Sequence, residues 1–304
     1  MNNTMLKNLI LFRVDPSQMG DSYELEADLQ ANPFVPTGPT QQLAFGWVPP
    51  RGAEHGEMLV RSGRRHWLVK LAIEQRSVPG KTVEKRVDEL AKLIEEQTGR
   101  KPGKKQRKEL KEKALIELLP RAFPRRTDVL AWIDTDSGIL AVDAGSAARA
   151  NLVAEGLTHC ASLKTSYLQT ATAPAQAMAN WLVHGEADEG FAIDNECELK
   201  GSEGASPAVR YQNHELDPEV MAAHIGEGKL PTKLALTYNG RVSFVLTDQA
   251  QLKKIKILDG ALVGSVQEGA DAFDGSLALA TGELSLLIGS LVGALGGLAT
   301  TEAA

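Results

Sequence analysis

The chain has 304 residues, 43% of them hydrophobic, with 33 Lys and Arg against 39 Asp and Glu and a formal net charge of −6. That composition excludes an intrinsically disordered protein and suits about two domains or one elongated, multi-lobed unit. The acidic average argues against a nucleic-acid binder, but the charge is uneven. Residues 81–126 hold 15 Lys and Arg against 8 Asp and Glu, a net of +7 that leaves −13 on the remainder.

In chain order, Asn8 to Val14, Phe45 to Val48 and His66 to Glu74 read as short strands between Pro and Gly turns, which makes residues 1–80 an N-terminal sheet region. From Thr82 the apolar period becomes helical, with Val83, Val87, Leu90, Ala91 and Ile94 on one stripe and Thr98-Gly99 as a stop. A second helix follows Pro102-Gly103, carries Leu110, Ala114, Leu115 and Leu118, and halts at Pro120. The simplest arrangement is a projecting antiparallel helical hairpin, a finger with arms of about 25 Å, within a segment 81–126.

Residues 127–304 read as an α+β region. Val129 to Thr135 and Ile139 to Asp143 form a hairpin, Ser146 to Leu157 and Pro174 to His184 form helices, and Asp217-Pro218 starts another helix ending near Gly226. Lys233 to Tyr238 and Arg241 to Leu246 flank Asn239-Gly240 as a second hairpin, before a strand at Leu252 to Ile257. Strand clusters mixed with helices, without βαβ rhythm, predict an α+β fold with mixed or antiparallel sheets rather than a doubly wound one.

The last uncharged run, Leu284 to Thr301, is at the lower length limit for a membrane span but holds several glycines. Leu284, Leu287, Ile288, Leu291, Val292 and Leu295 fall on one helical face, so a core or subunit-contact helix is expected and no membrane. Cys160 and Cys197 have no paired spacing and the first apolar run is too short for a signal peptide, so a cytoplasmic setting is expected.

Enzyme motifs are few. Gly226 to Leu230 resembles the end of a phosphate-binding loop, but Ala223 stands at its first glycine position and Leu230 at its Ser or Thr. The six histidines show no ligand spacing, so neither metal nor cofactor is expected. Asp134 and Asp136 could share a metal as in some nucleases, although their place at a hairpin end favours a turn role.

The informative cluster is Arg100, Lys101, Lys104, Lys105, Arg107, Lys108, Lys111 and Lys113, opposed between 99 and 113 only by Glu109 and Glu112. Several of these crowd the start of the second helix, where the macrodipole disfavours cations. Polyanion capture resolves that conflict, because free amides and side chains would meet the same phosphates. A solvated face and a dock for an acidic protein, with the chain as a scaffold, remain the other readings of this charge run. No aromatic residue lies between Gly99 and Ala122, so backbone contact is expected and base stacking is not.

The chain resembles the bacterial RdgC family of recombination-associated proteins. The likeness is carried by WVPP at 47–50, LLPRAF at 118–123, WIDT at 132–135, Gly228-Lys229 followed by TKLAL at 232–236, and TGEL at 281–284, in order over essentially the whole chain. It implies a non-enzymatic homodimer closed into a ring around duplex DNA. Such a ring would bind double and single strands without sequence preference, restrain the recombinase filament, and be cytoplasmic and nucleoid-associated. It also implies DNA contact by Arg100, Lys101, Lys104 and Lys105 at the finger tip and by Lys229 and Lys233, and a hydrophobic subunit contact at Phe123; Arg107, Lys108 and Arg121 of the same basic segment are expected to join the DNA-binding set. Two-fold closure needs a second patch, for which Leu287 and Leu291 on the last helix are candidates. In RYQNH at 210–214 only Arg210 is a fixed cation, fewer than the family leads one to expect.

Overall fold

The computed structural model describes residues 5–201, 207–258 and 270–299. Strand β1 (Leu9–Val14) is followed by helix α1 (Ser22–Ala31) and strands β2 (Leu43–Trp47), β3 (Leu59–Ser62) and β4 (His66–Arg76). Helices α2 (Gly80–Thr98) and α3 (Lys104–Leu118) lead to β5 (Pro124–Asp134), β6 (Ile139–Asp143), α4 (Ala147–Ala161), β7 (Thr165–Tyr167) and α5 (Pro174–His184). Then come β8 (Phe191–Gly201), β9 (Ala208–Gln212), α6 (Pro218–Gly226), β10 (Lys229–Tyr238), β11 (Val242–Thr247), β12 (Leu252–Ile257) and α7 (Ala270–Ala294). The fold is α+β, as the pattern of runs predicts.

The described strands join one sheet in the order β2-β4-β5-β6-β1-β12-β11-β10-β8-β9, with β3 on β4 and β7 on β1 beside that path. The strand pairings are antiparallel. Alternation along β1 divides the interior: Ile10, Phe12 and Val14 face a core closed by Leu25 and Leu29 of α1 and Val153 and Leu157 of α4. Leu9 and Leu11 face the other core, which receives Met178 and Trp181 of α5, Met221 of α6 and Leu284, Leu287, Ile288 and Leu291 of α7. Strands β10 to β12 send Leu234, Leu236, Phe244, Leu246 and Ile255 to this second core. Their opposite face stays open as a groove of about 720 Å³.

Helix α7 is long and apolar enough over Ala272–Ala294 to cross a membrane, yet its apolar stripe lies against the sheet and Glu283 on it accepts from Arg241 Nε at 2.9 Å. It is a core helix. Leu287 and Leu291, expected at a subunit contact, are 0% and 2% exposed inside their own chain and offer no surface to a partner. Positions 300 and 301 of the uncharged run lie outside the described residues.

Several elements depart from the sequence expectation. Helix α1 interrupts the N-terminal strands; Asp21 accepts from the amides of Tyr23 and Glu24, and Glu24 Oε2 accepts from the Asp21 amide, a full capping box. Strands β3, β7, β8 and β9 are additional, and β10 starts at Lys229 although Pro231 lies inside it. Before Lys233, β10 pairs only with β8, and a register shift between Pro231 and Lys233 accommodates the missing amide hydrogen.

Candidate nucleic-acid interface

The finger grows from the end of the β4–β5 ribbon, whose register runs from His66↔Asp134 to Arg76↔Pro124. Its helices pack chiefly on each other. Val83, Val87 and Ala91 of α2 meet Leu110 and Ala114 of α3 in a small separate core. Gly99 ends α2 with φ 69°, a left-handed cap that glycine adopts without a Cβ penalty. Gly103 begins α3 with no side-chain cap, and the first amide to bond back is that of Arg107, to Gly103 O at 2.9 Å. The amides of Lys104, Lys105 and Gln106 therefore have no intrahelical acceptor.

Around that helix end, Arg100, Lys101, Lys104, Lys105 and Lys108 are exposed. Among the described residues none has a carboxylate within salt-bridge distance, whereas Arg107 donates to Asp88 at 2.6 Å. The structure thus brings the tip cations together at the N-terminus where an anion is stabilised. Arg121 is exposed at the root of the finger beside Phe123, which is 90% exposed; Val35 and Leu43 are further exposed apolar side chains.

The open sheet face holds the second group of cations. Lys233 is half-buried there and its Nζ donates to Glu198 Oε2 at 3.1 Å. Lys200 pairs with Glu198 Oε1 at 2.9 Å, and Arg210 Nη2 and Nε reach Glu198 Oε2 at 2.6 and 2.9 Å. Arg210 lies on strand β9. Burial alone would raise the Glu198 pKa, but the hydrogen bonds from Lys200, Lys233 and Arg210 outweigh it and take the pKa down to about 2. Lys253 and Lys254 line the same groove, and Lys256 lies beside Lys254 on β12.

Lys229 sits differently from expectation. It is buried, and its ammonium pairs with Glu227 and donates to His224 Nδ1 at 3.3 Å, while Tyr211 Oη lies 2.9 Å from His224 Nε2. Its charge is turned toward its own chain, where it ties the end of α6 to the start of β10. Sequence reasoning did not single out Lys200, Lys253, Lys254 or Lys256. Three lysines among the apolar residues of LKKIKI in β12, where Leu252, Ile255 and Ile257 are buried, were the available signal for the last three.

Asp134 and Asp136 do not present a paired metal site. Asp134 is buried; its Oδ1 accepts from the amides of Asp136 and Ser137 at 3.2 and 3.4 Å and its Oδ2 from Ser285 Oγ at 2.8 Å. Asp136 faces Arg65 at 3.5 Å. Asp134 thus braces the β5–β6 turn and ties it to α7. Next to it, Trp132 Nε1 donates to His66 Nδ1 at 3.2 Å, and burial lowers the His66 pKa, which keeps that ring neutral.

Fold and surface together define an α+β protein with cations gathered on a helical finger and on one open half of an antiparallel sheet. The chain belongs to the RdgC family: the family described as "Putative exonuclease, RdgC" matches residues 4–298. It is 42% identical over 298 residues to the recombination-associated protein RdgC of Dechloromonas aromatica, covering 96% of this chain and 97% of that one. Relatives of the same name from Cupriavidus pinatubonensis and Janthinobacterium sp. are 39% and 37% identical, each over 96% of this chain and 98% and 97% of their own.

Proposed function

We propose that this protein binds DNA through its phosphate backbone, without reading sequence, and regulates homologous recombination by occupying DNA and restraining recombinase access. The observation that carries this reading is the set Arg100, Lys101, Lys104, Lys105 and Lys108, exposed and, among the described residues, without salt-bridge partners around a helix start with no side-chain cap. Arg107, Arg121 and Lys233 extend the cationic surface, with Lys229 as internal support. Contacts of this type neutralise phosphates and release counterions, so they serve duplex and single strands alike.

The working form is a homodimer closed into a ring, cytoplasmic and nucleoid-associated, with the recombinase filament as the competing occupant of DNA. Support for a subunit contact comes from Phe123, whose large apolar side chain is left almost wholly in water by its own chain. No chemistry on the DNA is invoked, and no cofactor. The family description favours a second reading, an exonuclease, but the carboxylates the sequence offers for it are engaged elsewhere, Asp134 with the β5–β6 turn and Ser285 and Asp136 with Arg65.

A gel shift across a salt series tests the proposal. With six to ten phosphates neutralised, affinity falls about 10³ to 10⁵-fold between 50 and 200 mM salt, alike for unrelated duplexes. Strong sequence preference, or no binding at low salt, refutes it. Magnesium-dependent loss of end-labelled DNA would favour the nuclease, and capture of acidic proteins without DNA binding a scaffold.

A further inference from the structure

Glu198 occupies an unusual place for a carboxylate on a cationic face. On β8 it lies directly across from Arg210 of β9 and from Lys233 of β10, and Lys200 follows two residues later on the same strand. Its side chain is 4% exposed while those of Lys200, Arg210 and Lys233 are 51%, 61% and 44% exposed. The three cations therefore form a layer above one buried anion. Oε1 also accepts from Thr232 Oγ1 at 3.2 Å, so the carboxylate is fully engaged.

Stability alone is a poor account of this arrangement. Burying a carboxylate carries a desolvation cost that its ion pairs largely offset, and a neutral side chain of similar shape often serves as well. On a face that meets phosphate the consequence is different. Each held cation gives part of its donor capacity to Glu198, and one of the three positive charges is cancelled before any ligand arrives.

We infer that Glu198 is an internal competitor of the nucleic-acid phosphate: it holds Lys200, Arg210 and Lys233 in place and limits the grip of these three cations to about two phosphates where unopposed they could hold three. The inference rests on the DNA-binding reading above. A carboxylate fixed beneath the contact layer lowers affinity evenly for every sequence and thereby favours release and movement along the strand.

The test is duplex binding by Glu198→Gln and wild type across a salt series, with circular dichroism to check the fold. Gln keeps the shape and an acceptor oxygen but removes the charge. One further phosphate contact steepens the slope of log K against log salt by about 0.9, which is about fivefold tighter binding at 0.15 M salt. Equal or weaker binding by a folded Glu198→Gln overturns the inference.

The exchange Glu198→Gln with Lys233→Gln replaces the pair by a neutral one and covers the case in which the single change does not fold. It should reverse the gain, because a cation leaves together with the charge that cancelled it. A slope about 0.9 flatter than wild type would show Lys233 as a full contact and overturn the inference. If the wild-type protein itself does not bind DNA at low salt, the DNA-binding reading fails and not this relationship alone.

Discussion

Arg86 of α2 and Glu117 of α3 form a two-pronged ion pair at the root of the finger, with Nη2–Oε1 at 2.7 Å and Nε–Oε2 at 3.1 Å. Toward the tip, Arg107 of α3 reaches back to Asp88 of α2. These links and the small apolar core between the helices fix the hairpin without help from Arg100, Lys101, Lys104 or Lys105. The tip cations can therefore be changed with little effect on the fold.

Replacing Arg100, Lys101, Lys104 and Lys105 together with alanine should weaken binding to all duplexes and flatten the salt slope by about 1 for each phosphate no longer neutralised. Thermal unfolding should shift little. Wild-type affinity and slope in a folded variant would place the DNA contact elsewhere.

Phe123→Ser should leave the monomer fold intact, because the ring is 90% exposed. Sedimentation at a series of concentrations should show a weaker self-association than wild type. Identical association constants would remove Phe123 from the interface.

Gly46 on β2 runs against the backbone of the preceding loop. A Cβ there would lie 2.5 Å from Phe34 Cα and 2.7 Å from Pro33 O, beside the bond from the Phe34 amide to Trp47 O. Gly46→Ala should cost about 1–3 kcal/mol in urea unfolding, since backbone has to shift. DNA binding by the folded fraction should be unaffected.

Acid stability should carry the signature of Glu198. Its folded pKa of about 2 lies below the ordinary glutamate value of 4.5, so its stabilisation is complete above that ordinary value and is lost as pH falls toward 2. Urea unfolding of wild type between pH 6 and 3 should show the decline, and Glu198→Gln should show a smaller one.

The finger was legible because both of its signals are local: an apolar stripe of helical period, and cations concentrated within a few residues of Gly103. The open sheet face was not, because Glu198, Arg210 and Lys233 become neighbours only through the pairing of three strands, which no local spacing encodes. Acidic residues along β8 also mask the cations in any running charge count. The stripe of α7 shows the complementary limit. Its period identified a buried face correctly, but period carries no information on whether the covering surface belongs to the same chain, and Leu287 and Leu291 are covered by their own sheet. At β12, Lys254 adopts φ 52° at a bulge, which adds a residue to the strand and breaks the simple alternation of its lysines.

The strand order separates the two charged surfaces. The finger issues from β4 and β5 near one edge of the sheet, while Glu198 and its cations lie on β8, β9 and β10 at the other. Five strand steps from β5 to β10, at about 4.8 Å each, put roughly 24 Å across the sheet between the strand that carries the finger and the strand that carries Lys233. A helical ligand rising about 3.4 Å per base pair covers that span only with about seven pairs. If DNA is held as proposed, oligonucleotides below this size occupy one surface at a time, and affinity should step up once a duplex is long enough to meet both.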